Sequence, residues 1–233
     1  MKIHRFIIDQ ALANDHVTLT DPALVHQFGR VLRLEVGESV ILCNGQGIDA
    51  QGVIESIDKK TIVVRIETRQ PNHAEPSRYV TLYLAAIKRE YLEWAIQKTT
   101  ELGISEIVPL VTARTIKSTV NRERLQTIAR EAAEQSGRGR VPVIQGAVTF
   151  KDALASIKQK EGVFFFDLNA PLVKHSQDSA SDTRYSVFVG PEGGWTEEER
   201  ALAEKEGLTI AGLGSGTLRA ETAAMIASYL LCT

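Results

Sequence analysis

A glycine-rich turn in the C-terminal part of the chain has the residue types that bind a small ligand. The segment FVGPEGGW at residues 188–195 leads from an apolar run into a helix start, where Thr196 and Glu199 match a capping box. Turns of this kind often bind phosphate through backbone N–H groups. Here no Gly-Lys-Ser/Thr follows and four glutamates surround the turn, so a ligand with cationic character fits better than a nucleoside triphosphate. A plain tight turn before a capped helix is the alternative.

A second glycine-bearing segment, LGSGTLRAETAA at residues 213–224, lies between a predicted strand and the last predicted helix. Gly214 and Gly216 are similar to the start of a dinucleotide-binding fingerprint. That fingerprint requires a third glycine, where Arg219 stands, and a βαβ unit of about 30 residues. Only 14 residues follow Arg219. The spacing therefore argues against a dinucleotide-dependent enzyme, a rival that a nicotinamide-binding titration would test.

A basic segment precedes both turns and ends in EAAEQSGRGR at residues 131–140. Residues 114–140 include seven basic and three acidic side chains, although the net charge of the chain is −2. A local excess of positive charge in an acidic protein favours docking on a polyanion. The alternative is a solvated helix face, because Arg130, Glu134 and Arg138 are spaced four residues apart, as in an ion-pair ladder.

The composition is that of a folded protein, since 43% of the 233 residues are hydrophobic and 24% are charged. Cys43 and Cys232 lie outside any CxxC pattern and the five histidines match no ligand spacing, so we expect neither disulfides nor a bound metal. No apolar run approaches the roughly 20 residues of a membrane helix, and the first residues are too charged for a signal peptide. We therefore expect a soluble cytoplasmic protein that does not contact membranes.

Two regions with different patterns must position these segments, and a polar, proline-bearing stretch at residues 70–77 separates them. The first region is rich in Val, Ile and Thr, which predicts strands at 3–8, 39–43, 48–57 and 61–68, with a helix at 22–34. The second region alternates strands with helices, and its apolar run 79–87 is typical of a strand buried on both faces of a parallel sheet. We predict an α/β fold with domains at residues 1–72 and 73–233.

The predicted elements of the second region end with an apolar helix. After the first strand and its helix, further strands are predicted at 106–111, 141–144, 163–168, 185–189 and 208–213, and helices at 121–136, 150–159, 196–206 and 221–232. The last helix is apolar almost all round, which predicts that it is buried. It packs either in the core of its domain or against a second subunit.

Taken together, these segments resemble a known family. The two turns, the basic segment and three further blocks (HQFGRVLR at 26–33, EWAIQKTTELG at 93–103 and PVI at 142–144) occur in the order of the signature blocks of the RsmE-type 16S ribosomal RNA uridine-N3 methyltransferases, in the SPOUT superfamily. The resemblance covers essentially the whole chain. It implies an N-terminal PUA-like small β-barrel, residues 1–72, that helps bind RNA. It also implies a C-terminal SPOUT α/β methyltransferase domain, residues 73–233, threaded into a trefoil knot.

The resemblance also implies a cofactor and partners. Members of the family are homodimers that bind S-adenosylmethionine in the knot, and the expected substrate is 16S ribosomal RNA in the small ribosomal subunit. The implied cofactor pocket contains Leu168, Gly190, Pro191, Glu192, Gly193, Leu213, Gly214, Leu218 and Arg219. Relatives usually carry a long basic residue where this chain has Gly216, so the contacts of such a side chain are not expected here.

The implied reaction removes a weakly acidic proton from uridine N3. Glu221 is the first candidate for a base, and Arg138 and Arg219 are candidates for stabilising the uridine anion, which is the route we favour. The implied RNA contacts are Arg5, Arg30, Arg33, Arg114, Lys117 and Arg138. The alternative function is a non-catalytic RNA-binding or ribosome-assembly module, which would keep the basic segment but need no ligand pocket.

Overall fold

The computed structural model describes residues 3–115, 120–157, 162–173 and 184–232. These residues form two units. The small unit comprises the chain up to Glu75 together with Ala133–Arg140, and the large unit comprises Pro76–Ala132 and the chain from Val141 onward. The end of the basic segment thus belongs to the small unit, although it follows the linker in sequence.

The small unit is built on one sheet. Its strands are β1 (His4–Ile7), β2 (His16–Leu19), β3 (Ser39–Cys43), β4 (Ile48–Ile57) and β5 (Ile62–Pro71). They pair in the order β1-β3-β4-β5-β2, with β1 and β3 parallel and the other pairs antiparallel. Alternating apolar residues point to one side, so Phe6, Leu42 and Ile54 are fully buried together with Phe28. The β-rich prediction is confirmed, whereas the four-residue β2 was too short to be predicted.

The helix predicted at 22–34 is wrong in its second half. An α-helix, α1, covers only Pro22–His26, and the chain then widens into a π-helical turn at Gln27–Val31. The N–H of Leu32 donates to the carbonyl five residues earlier at 2.9 Å, the spacing of a π-helix. Arg33 follows with a φ of 54°. A residue in the left-handed region cannot continue an α-helix, and this is why the element ends before it.

The large unit has a parallel sheet, as predicted. Its strands are β6 (Tyr79–Ala85), β7 (Glu106–Val111), β8 (Val143–Ile144), β9 (Val148–Thr149), β10 (Val163–Phe166), β11 (Arg184–Val189) and β12 (Thr209–Ala211). The helices are α2 (Arg89–Glu101), α3 (Arg122–Ser136, whose end from Ala133 belongs to the small unit), α4 (Phe150–Ser156), α5 (Glu197–Lys205) and α6 (Ala220–Cys232). The strand order is β12-β10-β11-β6-β7-β8, and β9 also pairs with β7. The α/β prediction is therefore confirmed.

The sheet of the large unit is buried on both faces. Leu82 and Leu84 of β6 pack in one apolar cluster with residues of α2 and α6. Tyr83, between them, points to the opposite cluster and stacks on Phe188 with ring centroids 4.5 Å apart. This two-sided burial explains why residues 79–87 are apolar without alternation.

Helix α6 packs against α2, β6 and β11. Its buried face includes Ala224, Ala227 and Leu231, so part of this helix lies in the core. On the other face Tyr229 is 55% exposed. None of the helices in the described residues is both long enough and apolar enough to cross a membrane.

Candidate functional site

The connections that follow three neighbouring strands line one cleft. β12, β10 and β11 are adjacent and parallel, so their carboxyl ends lie at the same edge of the sheet. The cleft is lined by Phe166, Asp167, Leu168, Val189, Gly190, Pro191, Glu192, Gly193, Gly194, Trp195, Leu213, Gly214, Gly216, Thr217, Leu218, Ala220 and Ala223. The first turn (residues 190–195) and the second turn (residues 213–218) therefore lie side by side.

The first turn is fixed by the indole of Trp195. This side chain is 8% exposed, and its Nε1–H donates to the carbonyl of Phe166, at the end of β10, at 2.9 Å. Gly190 packs directly against the ring, because a Cβ at that position would lie 2.9 Å from an indole atom. Within the turn the N–H of Gly194, a residue with a φ of 70°, donates to the carbonyl of Pro191 at 2.8 Å. Only glycine fits at residue 190 without a shift of the ring.

Glu199 connects the start of α5 to the loop after β7. The predicted capping box is confirmed: the hydroxyl of Thr196 accepts from the N–H of Glu199 at 3.2 Å, and the Glu199 carboxylate accepts from the N–H of Thr196 at 2.9 Å. The other carboxylate oxygen accepts from the N–H of Ala113 at 2.9 Å. Beside it, Arg114 donates through Nη1 to the carbonyl of Gly193 at 2.6 Å. The first turn is thus bonded both to β10 and to the loop after β7.

The second turn is anchored at its base and open beyond it. The N–H of Gly212 donates to the carbonyl of Pro171 at 2.7 Å, and a Cβ at Gly212 would lie 2.6 Å from the carbonyl oxygen of Ala170. Farther along, a Cβ at Gly214 or Gly216 would meet no atom of the described residues within 4 Å. The backbone here faces open space on the cleft.

The cleft lining combines apolar surface with negative charge. Asp167 is partly buried, and its Oδ2 accepts from Nη1 of Arg200 at 2.6 Å, whereas Glu192 is exposed. Arg200 also donates to Glu204 at 3.2 Å, and this hydrogen bond, with the charge of Asp167, outweighs desolvation and raises the pKa of Arg200. The remaining lining is mostly glycine backbone and apolar side chains. Such a cleft suits a ligand that has an apolar ring and a positive charge.

The structure brings eight of the nine predicted cofactor residues to this cleft. The exception is Arg219, which is exposed and follows the lining residue Leu218. Sequence reasoning missed Trp195 and Asp167 as lining residues, although Trp195 stands directly after the glycines of the first turn. The role of these residues in binding a cofactor stays a prediction.

The catalytic candidates occupy different environments. Glu221 lies near the N-terminus of α6 and is 7% exposed. It does not line the cleft. Its carboxylate has no hydrogen-bond or ion-pair partner within the described ranges. Arg138, in the small unit, is 3% exposed, and two of its nitrogens donate to Glu75 at 3.3 and 3.0 Å. Their catalytic roles stay predictions.

The predicted RNA contacts differ in their exposure. Arg30 and Arg33 are exposed at the π-helical turn. Arg5 instead forms a bidentate pair with Asp49 at 2.6 and 2.5 Å. Burial acts to raise the pKa of the Asp49 carboxyl, but the hydrogen bonds from Arg5 and Asn72 outweigh it and lower that pKa. Lys117 lies outside the described residues.

Comparison with known proteins identifies the family. The model of an RNA methyltransferase domain matches residues 74–231, and that of an RNA methyltransferase PUA domain matches residues 19–67. The ribosomal RNA small subunit methyltransferase E of Rickettsia conorii is 35% identical over 97% of this chain and 94% of its own length. The Bacillus subtilis protein of the same name is 33% identical over 87% of this chain and 84% of its own.

A solved structure agrees with these matches. The crystal structure of the ribosomal RNA small subunit methyltransferase E of Neisseria gonorrhoeae, bound to S-adenosyl methionine, has a TM-score of 0.89 and 28% identity, covering 97% of this chain and 95% of that one. The match extends over both units, including the strands that form the cleft. By sequence and by fold, this chain belongs to the family of ribosomal RNA small subunit methyltransferases E.

Proposed function

We propose that this protein uses S-adenosylmethionine to methylate N3 of a uridine in 16S ribosomal RNA. The observation that carries the proposal is the meeting of the two glycine-bearing turns in one cleft. The family supports it, since the relatives are ribosomal RNA small subunit methyltransferases and the Neisseria gonorrhoeae protein binds the cofactor.

The decisive experiment is mass mapping of 16S RNA from a deletion strain. One uridine is expected to lack a single methyl group, and re-expression of the chain should restore it. An unchanged methylation pattern would contradict the proposal. Calorimetry with S-adenosylmethionine distinguishes the enzyme from the alternative function, because a non-catalytic RNA-binding module would not bind this cofactor.

The residues of the cleft fit this cofactor. When bound, S-adenosylmethionine supplies an electrophilic methyl group on a sulfonium ion. Glycine backbone can approach an adenosyl group closely, and the exposed carboxylate of Glu192 favours a positively charged ligand. The proposed cofactor contacts are Leu168, Gly190, Pro191, Glu192, Gly193, Leu213, Gly214, Leu218 and Arg219.

The proton on uridine N3 must leave as the methyl group arrives. Glu221 is the candidate for a base, since its carboxylate has no partner in the described part of the chain and it directly follows Ala220, which lines the cleft. The route we favour is stabilisation of the uridine anion, for which Arg219 and Arg138 are proposed. If Glu221 is the base, Glu221→Gln lowers turnover by roughly 10²–10⁴ while calorimetry shows unchanged cofactor affinity. Unchanged turnover would leave anion stabilisation as the route.

The proposed RNA contacts are Arg5, Arg30, Arg33, Arg114, Lys117 and Arg138. The side chains of Arg30 and Arg33 are exposed, which supports their role as RNA contacts. Each phosphate contact that is lost should reduce the slope of log K against log salt by about 0.7–0.9. We expect this reduction for Arg30→Ala, measured by RNA binding at several salt concentrations, and an unchanged slope would remove Arg30 from the set.

The assembly is proposed to be a cytoplasmic homodimer, with residues 1–72 as the RNA-binding barrel and residues 73–233 as a knotted catalytic domain. The partly exposed apolar face of α6, with Met225, Ile226 and Tyr229, supports a subunit interface. Light scattering should give twice the mass of one chain. Tyr229→Glu should shift the protein towards monomer.

A further inference from the structure

The loop after β7, residues 112–115, is the feature that the proposed function does not yet explain. It is ordered by its own hydrogen bonds: the N–H of Thr112 donates to the hydroxyl of Thr115 at 2.9 Å, and the N–H of Thr115 donates back to the carbonyl of Thr112 at 3.2 Å. Ala113 and Arg114, at its tip, are exposed. The loop therefore presents two exposed residues on a fixed backbone.

Both tip residues are bonded to the first turn or to the helix start behind it. The N–H of Ala113 donates to Glu199, whose other oxygen accepts from Thr196. Arg114 donates to the carbonyl of Gly193, and a Cβ at Gly193 would lie 3.4 Å from Cδ of Arg114, so the aliphatic part of the arginine lies along the glycine. β6 stands between β7 and β11 in the sheet, so these bonds reach across a whole strand.

Most N–H donors of the Arg114 guanidinium are not used within the described residues. A guanidinium has five N–H donors, and the bond to Gly193 uses one of them. The rest have no partner in the part of the chain that the structure describes, and the side chain is exposed. A full positive charge thus faces solvent beside a residue that lines the cleft.

We propose that Arg114 is a positioning residue that couples RNA binding to cofactor binding. One N–H sets the first turn through Gly193, and the remaining donors bind a phosphate of the RNA whose base enters the cleft. Because the same guanidinium holds Gly193 at the cleft and would bind the RNA phosphate, each ligand strengthens the other by the same factor. This inference rests on the proposed methylation of RNA.

The experiment compares variants that separate the two contacts of the loop, the bond from Arg114 to Gly193 and the bond from Ala113 to Glu199. Arg114→Ala removes the bond to Gly193 and the charge. Arg114→Lys keeps the charge. Glu199→Gln preserves the shape of the side chain and leaves all arginines and lysines in place. Its single amide oxygen, however, cannot accept hydrogen bonds from the N–H groups of both Ala113 and Thr196. Arg89→Ala is the matched control, because Arg89 is a 77% exposed arginine of the same unit, paired with Glu93.

Three quantities are measured: cofactor affinity without RNA, affinity for an unmethylated 16S RNA fragment at several salt concentrations, and affinity for the same RNA with and without the unreactive analogue sinefungin. Cofactor affinity should fall about tenfold in Arg114→Ala and in Glu199→Gln, the effect of one lost hydrogen bond. The salt slope should fall by about 0.7 in Arg114→Ala alone. Sinefungin should tighten RNA binding about fivefold or more in the wild type and leave it unchanged in Arg114→Ala.

The outcomes separate this inference from the function on which it rests. If the wild type binds neither cofactor nor RNA, the proposed function fails and the inference fails with it. If the wild type methylates RNA but Arg114→Ala keeps its cofactor affinity, its salt slope or its response to sinefungin, only the inference is overturned. Arg114→Lys should restore the salt slope, and an effect of Arg89→Ala as large as that of Arg114→Ala would also overturn the inference.

Discussion

The two glycine-bearing turns line the same cleft but are built in opposite ways. The first is bonded to two neighbouring elements: Trp195 joins it to β10, and Arg114 joins it to the loop after β7. The second is held by the hydrogen bond from Gly212 to Pro171. Beyond that residue, Gly214 and Gly216 face open space within the described structure. The cleft therefore has one wall held by contacts with neighbouring elements and one wall whose backbone is open to the cleft.

Glycine serves a different purpose in each turn. At Gly190 the absence of a Cβ lets an indole ring pack against the backbone, so the residue is required by the protein itself. At Gly216 a side chain would have room, so the missing side chain matters to whatever occupies the cleft. The same mutation, glycine to alanine, should therefore have different effects at the two positions.

Gly190→Ala should have the largest effect. The new methyl group would lie 2.9 Å from the Trp195 ring, and overpacking of this kind costs about 1–3 kcal/mol. We expect a lower free energy of unfolding in urea titration together with weaker S-adenosylmethionine binding. Wild-type values for both would show that the first turn is less rigid than its contacts indicate.

Trp195→Phe should have an intermediate effect. Phenylalanine preserves most of the ring packing but leaves the carbonyl of Phe166 without the indole N–H. The loss of one hydrogen bond costs about 1 kcal/mol. Thermal denaturation should show a small decrease in Tm, and cofactor affinity should fall, because the first turn loses its hydrogen bond to the end of β10. A Tm equal to that of the wild type would mean that ring packing alone fixes the turn.

Gly216→Ala should have the smallest effect on folding. Because a Cβ meets nothing within 4 Å in the described residues, the free energy of unfolding should change by less than about 0.5 kcal/mol. Any change should appear in calorimetry with S-adenosylmethionine. A loss of stability comparable to that of Gly190→Ala would contradict the contrast between the two turns.

Much of this site was predictable from local sequence. The capping box of Thr196 and Glu199 depends on residues three apart, and the helix behind it was predicted within one residue at each end. The apolar run 79–87 indicated a strand buried on both faces. The helix at 22–34 was the clearest error, because apolar spacing does not reveal the left-handed backbone at Arg33.

The contacts that complete the cleft join residues far apart in the chain. Trp195 and Phe166 are 29 residues apart, Glu199 and Ala113 are 86 apart, and Arg114 and Gly193 are 79 apart. The sequence by itself determined which segments form strands, turns and capped helices, because those choices depend on near neighbours. Only the tertiary structure decided which turns meet, because strand order sets which carboxyl ends are adjacent, and no local pattern encodes that order.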